Sequence, residues 1–323
     1  MRTKTMISEL RLMLVLIPLM AVLTLVSPRF LTVDNLTNVV WSICLIGILA
    51  SGSIYARITG GIDLSLGSMA ALTGIIVDIF MNRFGIHWLL SIVMTMAIGA
   101  VIGLFNGFIV AKIKVPAFVV TMAAKTYLYG VGLVVSQGAM LAILRPATFI
   151  AIGTGRLFGL PYPIYIMLVL TVISQFILRR TTFGRQVMAV GANETAAKLS
   201  GVDPDKIRMI SYAISGTTSA IGGVVLASLT QQVFAAAASG IELEVMTALV
   251  IGGTSAVGGR GSVVGAIIGA VMVAFIINGL NLLNVPAPYH PIVSGVVIIV
   301  ALLMNEGYLV PKRFKAGGIR REA

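Results

Sequence analysis

The sequence predicts an all-α, polytopic membrane protein of about ten transmembrane helices arranged as two inverted repeats. Three observations carry that expectation. Of 323 residues, 58% are hydrophobic and only 11% charged, against about a quarter charged in soluble domains. Basic residues fall on alternating sides of the apolar runs. Short motifs from the first half return in the second after an odd number of runs.

Apolar runs of roughly 17–25 residues, the length that crosses a bilayer as a helix, place spans at about 12–28, 36–57, 62–82, 87–111 and 116–137. Five more follow at about 161–178, 209–230, 241–257, 262–284 and 289–305. The first follows a short basic start but has no A-x-A-like cleavage site and more spans behind it, so it reads as an uncleaved span and not a signal peptide. The second ends at Arg57. The third opens with GGIDLSLGS, Gly60 to Ser68, and is rich in small residues. The fourth carries Gly99, Gly103 and Gly107 at four-residue spacing, as does the ninth with Gly265 and Gly269; such spacing lets helix backbones approach closely. Lys125 and Tyr129 stand one turn apart within the fifth. The outer stretch 138–160 and the segment 179–208 are both too short for a domain with its own core, which needs roughly 50 residues. The chain therefore reads as one membrane domain over 1–323, with repeat one at about 12–137 and repeat two at about 161–305.

The basic residues test this topology. With the N-terminus inside, 18 of the 23 Lys and Arg fall on the cytosolic side, among them Arg2, Lys4, Arg11 and the group Lys312 to Arg321. Four fall outside, at Arg29, Arg83, Arg145 and Arg156, and Lys125 lies within a span. Positive residues concentrate in cytoplasmic loops, so both termini are expected in the cytosol. The same rule accounts for the net charge of +12 without nucleic acid. The single Cys44 excludes an internal disulfide and reads as helix packing. His87 and His290 read as interfacial residues, with no metal site or cofactor expected.

The echo links Gly61-Ile62-Asp63-Leu64 to Gly240-Ile241-Glu242-Leu243, and IGAV at Ile98 with Asn106-Gly107 to IGAV at Ile268 with Asn278-Gly279. The third span thus matches the eighth and the fourth the ninth. A shift of five spans inverts orientation, a recurring plan of transporters.

Charge within a membrane is costly and usually faces a cavity or a partner. Asp63 starts the third span on the cytosolic side, near Ser65, while Glu242 and Glu244 start the eighth on the outer side. Each carboxylate has two readings: a cap complementing a helix N-terminus at a broken segment, or a group lining the pathway or its gates. Lys125, beside Tyr129, either faces a cavity or snorkels to the cytosolic surface. Asn106 and Asn278 either meet sugar hydroxyls or bond neighbouring helices.

Within 179–208, Asn193 can cap a short alanine-rich helix that opens with Glu194 and stops at Gly201, a plausible docking element. Here the residues resemble a family. NETAAKLSG, Asn193 to Gly201, is similar to the loop by which permease subunits of bacterial ATP-binding cassette importers dock on their ATPase, with Thr195 in place of an alanine. GGIDLSLGS, TFGRQVMAVGANETAAKLSGV, ALVIGGTSAVGGRGSVVGAIIGA and INGLNLL resemble the ribose-type monosaccharide permeases, from about residue 28 to 305. The family pattern has Arg before the glycine at Gly130, where this chain has Tyr129 and, a turn earlier, Lys125.

The resemblance implies a type II-like importer permease for a pentose or hexose, in the bacterial inner membrane. It implies a second permease copy or paralogue, a periplasmic sugar-binding protein and a separate cytosolic ATPase. It assigns Glu194, Ala197 and Gly201 to the coupling helix. The 323 residues contain no Gly-Lys pair, so they hold no phosphate loop of the G-x-x-x-x-G-K-[ST] type, and no catalytic cluster is expected. Rival readings are an ion-coupled secondary transporter using Asp63, Glu242 and Lys125, a membrane-embedded enzyme, and a relative carrying a nucleoside, a furanone signal or a sugar acid.

Overall fold

The computed structural model of the chain describes residues 17–18, 20–21, 23–25, 27–143 and 146–305. Most of the expected first span, the basic residues Arg2, Lys4, Arg11 and Arg145, and the group Lys312 to Arg321 lie outside them.

The helices are α1 (Val33–Ile58), α2 (Leu66–Asp78, extended by the π-helical turn Ile79–Arg83), α3 (Trp88–Ala111), α4 (Ala117–Val135), α5 (Ala147–Thr154) and α6 (Tyr162–Arg180). Then come α7 (Thr182–Ala192), α8 (Glu194–Leu199), α9 (Pro204–Thr230), α10 (Ile241–Ile251), α11 (Val263–Leu282) and α12 (His290–Asn305). Among the described residues seven helices are long and apolar enough to cross a membrane: α1, α2 with its extension, α3, α4, α6, α9 and α11. This is a multi-pass membrane architecture.

The long helix α9 sits at the centre, packed on α3, α1 and α2, while α1 also packs on α11, and α10 on α11 and α12. The glycine stripe of α3 explains the closest of these contacts. A methyl group on Gly103 would lie 2.2 Å from the Tyr212 carbonyl oxygen, and one on Gly99 2.6 Å from that of Gly216. Only residues without a side chain let the two backbones approach so closely. The outer faces of α3, α4 and α6 remain exposed and apolar, as lipid requires. Cys44 is fully buried in the main core.

The segments expected on one side of the membrane gather at one end of the bundle. There Gly259 N–H donates to the Ile58 carbonyl, Arg179 donates to the Gly261 carbonyl at 3.4 Å, and Lys114 pairs with Asp205 at 2.6 Å. At the opposite end, β1 (Leu141–Ala142) pairs antiparallel with β4 (Gln232–Val233), and β2 (Arg156–Leu157) with β3 (Leu160–Pro161).

Three expectations change. The run at 241–257 is not one helix: α10 has 11 residues, about 16 Å at 1.5 Å per residue, and ends at Gly252. Gly253, Gly258 and Gly259 adopt positive φ, and Gly252 is pressed against the Gly265 carbonyl of α11. The segment to Ser262 is therefore irregular backbone at this end of the bundle, partly buried at Thr254, Ser255 and Gly259 and exposed at Val257. The third run begins its helix at Leu66, so Asp63 precedes the helix and does not lie in its first turn. The segment 179–208 carries two short helices, α7 and α8, where one was expected.

Candidate functional site

The α4 face built by Thr121, Lys125 and Tyr129, spaced four apart, joins two buried polar clusters. The first surrounds Asp63, which is 5% exposed. Its Oδ1 accepts from the Ser65 N–H at 3.0 Å and the Ser65 hydroxyl at 2.6 Å, closing a side-chain turn ahead of α2. Its Oδ2 accepts from the Ser215 hydroxyl on α9 at 2.6 Å. The neighbouring Ile62 carbonyl accepts from the Tyr212 and Thr121 hydroxyls, at 3.1 and 3.2 Å. Extended residues ahead of α2 leave backbone acceptors open, and hydroxyls from α4 and α9 satisfy them.

The second cluster lies one turn further along α4. Lys125 Nζ meets Glu242 Oε1 at 2.5 Å, and the Glu242 side chain is 2% exposed while that of Lys125 is 34% exposed. Glu242 stands in the first turn of α10, where its Oε2 also accepts from the Gly240 N–H at 3.2 Å. A methyl on Gly67 would lie 2.6 Å from the same oxygen, so the glycine of α2 makes room for the carboxylate. Lys125, Tyr129, Ser68, Thr126, Ser239 and Ala235 line a cavity of about 250 Å³. Lys125 thus faces a cavity and a partner at once, and does not snorkel.

The remaining candidates are dispersed. Asn106 accepts from the Tyr127 hydroxyl at 3.2 Å. Asn278 exchanges two amide hydrogen bonds with Asn35 of α1, at 2.6 and 3.1 Å, and so bonds helices together. Glu244 is half-buried and has no ion pair among the described residues. His87 caps α3, and His290 contacts the Val285 carbonyl.

At the bundle end carrying α7 and α8, Asn193 caps α8 by accepting from the Ala196 N–H at 2.9 Å, and Gly201 ends it at φ +82°. Glu194 pairs with Arg208 at 2.6 Å and with Lys114 at 3.8 Å. The hydrogen bond from Arg208 holds its carboxyl below the usual range. Ala197 lies on the inner face of α8, 4% exposed and part of the main core, so it anchors the helix that carries Glu194. Leu199, which the sequence reading passed over, is 86% exposed on the same helix. Ser215, Tyr212 and Ser239 were also passed over, because a hydroxyl in a small-residue stretch carries no pattern until its partner is known.

The chain matches the family model described as branched-chain amino acid transport system / permease component over residues 35–302. It is 37% identical over 314 residues to the ribose import permease protein of Haemophilus influenzae, covering 94% of this chain and 95% of that one. The ribose import permease protein of Escherichia coli K12 is 36% identical, with the same coverage of each. The L-arabinose transport system permease protein of E. coli K12 is 31% identical, covering 86% and 84%. No solved structure matches the chain. With more than four-fifths of its length under that model and relatives aligned nearly end to end, the chain belongs to the family of branched-chain amino acid transport system permease components.

Proposed function

We propose that the chain is the membrane permease subunit of an ATP-binding cassette importer for a monosaccharide. Full-length likeness to two ribose import permeases, at 36 and 37% identity over 94% of the chain, carries this reading. The solute is handed over by a periplasmic binding protein, and a separate ATPase on the cytosolic side supplies the work. Two permease copies, or this chain and a paralogue, form the membrane part.

The two halves act as inverted repeats. Packing supports this: α1 rests on α11 as its repeat-mate α9 rests on α3, and α2 meets α4 as α10 meets α12. The end carrying α7, α8 and the 252–262 segment faces the cytosol, as its Lys and Arg require, and α8 with exposed Leu199 and Glu194 docks on the ATPase. The cavity beside Lys125, Tyr129 and Glu242 forms part of the route. Its four hydroxyls suit a polyol, and few strong polar contacts suit a solute that must leave again. Asp63 and Ser65 hold the α2 start against α9 and so position that route.

Tagged chain purified in mild detergent from its native host, with mass spectrometry of its companions and uptake of labelled D-ribose, L-arabinose and L-leucine, tests the proposal. A stoichiometric protein with a phosphate-binding loop and pentose uptake support it. A chain that comes out alone, or leucine uptake with no sugar uptake, overturns it. Gly201→Pro, which cannot hold φ +82°, is expected to leave the protein inserted and abolish ATPase co-purification.

A further inference from the structure

The ion pair Lys125–Glu242 has a consequence for which solutes the cavity admits. The cavity is lined by one ammonium, four hydroxyls from Ser68, Thr126, Tyr129 and Ser239, and the Ala235 methyl. At about 250 Å³ it is smaller than the roughly 300–1,000 Å³ of clefts for drug-sized ligands, and suits one small polar molecule. An ammonium alone in such a wall would concentrate anions, since clefts lined by one sign of charge focus the field. Glu242 prevents this. Its Oε1 lies 2.5 Å from Nζ, it is 2% exposed, and the Gly240 N–H holds its second oxygen. The carboxylate is thus pinned behind the ammonium and cancels its charge without entering the cavity.

Lys125 remains 34% exposed, and an ammonium has three donors of which Glu242 takes one. Glu244, two residues on, stands about 200° around α10 and does not line the cavity. A wall of hydroxyls and a charge-cancelled ammonium offers donors and acceptors to hydroxyl groups and no net attraction to a carboxylate.

We infer that Glu242 is a specificity-determining residue: by neutralising Lys125 it restricts the hydroxyl-lined cavity to uncharged polyols and shuts out sugar acids. This rests on the transport reading above for its meaning, but the charge rule can be tested on the inserted chain alone. It also differs from a purely structural role, in which the pair would only tie α4 to α10. In that case, breaking the pair would alter stability and leave charge preference as it was.

The full chain in nanodiscs, without ATPase or binding protein, is treated with acetyl phosphate, an anionic acetyl donor, or with N-acetoxysuccinimide, a neutral one. Acetylation of Lys125 is then read by peptide mass spectrometry. Both reagents give the same product, so the ratio of the two rates cancels any change in the reactivity of the amine itself. In the wild type the anionic reagent is expected to lag. In Glu242→Gln the anionic-to-neutral ratio is expected to rise by about tenfold or more. A ratio unchanged by the substitution overturns the inference.

The wild type supplies a second measurement that does not depend on the variant's folding. Millimolar D-ribose is expected to slow acetylation of Lys125 and D-ribonate at the same concentration to leave it unaffected. Protection by D-ribonate equal to that by D-ribose, or no protection by D-ribose, overturns the inference. Failure of the transport reading would appear elsewhere, as absent ATPase or absent pentose uptake.

Discussion

The contact between α3 and α9 allows a sharp test, because it depends on hydrogen atoms where any other residue would place carbon. In Gly103→Ala the new methyl would sit 2.2 Å from the Tyr212 carbonyl oxygen and 3.0 Å from its carbon. That is 0.8 Å inside the 3.0 Å below which something must shift. The obstacle is backbone of a buried helix, so no side chain can swing aside. The helices must part by nearly that distance, which also loosens Gly99 against Gly216 and Gly107 against Met209. Overpacking of this kind costs about 1–3 kcal/mol, and a backbone obstacle puts the cost at the upper end, about 3 kcal/mol. Because Tyr212 and Ser215 reach Ile62 and Asp63 from this part of α9, the start of α2 moves as well. The assay is the thermal midpoint of the detergent-purified chain, run beside Gly130→Ala, where a methyl meets nothing within 4 Å. That control is expected to be stabilising by about 0.4–1 kcal/mol, as for other Gly→Ala changes in compatible helix positions. Equal midpoints for Gly103→Ala and the wild type would refute the close-packing argument.

Lys125→Met leaves the Glu242 carboxylate buried without its counter-charge and is expected to cost about 3–5 kcal/mol. Lys125→Met combined with Glu242→Gln is expected to recover most of that, and a double-mutant cycle on the thermal midpoint measures the coupling. Asp63→Ala removes the acceptor of two hydroxyls and one N–H; stranding buried donors at about 1–3 kcal/mol each is expected to lower the folded fraction seen by gel filtration, with Ser215→Ala milder. Glu194 has a lowered folded pKa, chiefly through the hydrogen bond from Arg208. Its contribution is therefore present above the ordinary glutamate range and is lost as pH falls through the folded value. The wild-type midpoint minus that of Glu194→Gln should shrink on acidification, and because the pair is half-exposed the whole effect stays within about 0–1 kcal/mol. A difference that grows on acidification would reverse the assignment.

Hydropathy placed the long helices well, since the bilayer imposes their length whatever their neighbours are. The runs at 36–57, 87–111 and 116–137 became Val33–Ile58, Trp88–Ala111 and Ala117–Val135. Local chemistry was equally legible at the Asn193 cap, the Gly201 stop and the first-turn position of Glu242, where the signal lies within a few residues. It misled at 241–257, because apolar content alone does not separate a spanning helix from a short one followed by irregular glycine-rich backbone. Resemblance assigned Ala197 to a docking helix, but which face of a six-residue helix is covered depends on what packs beneath it.

By itself the sequence determined that this chain lives in a membrane, which ends of its helices carry positive charge, and the family to which it belongs. These depend on composition, and on local motifs that need no partner. Only the tertiary structure decided that Lys125 answers Glu242 across 117 residues, that Asp63 accepts from the Ser215 hydroxyl of α9, and that Asn278 serves Asn35. A buried polar group is defined by what satisfies it, and in a helical bundle that partner comes from another helix whose rotation and depth are set by packing.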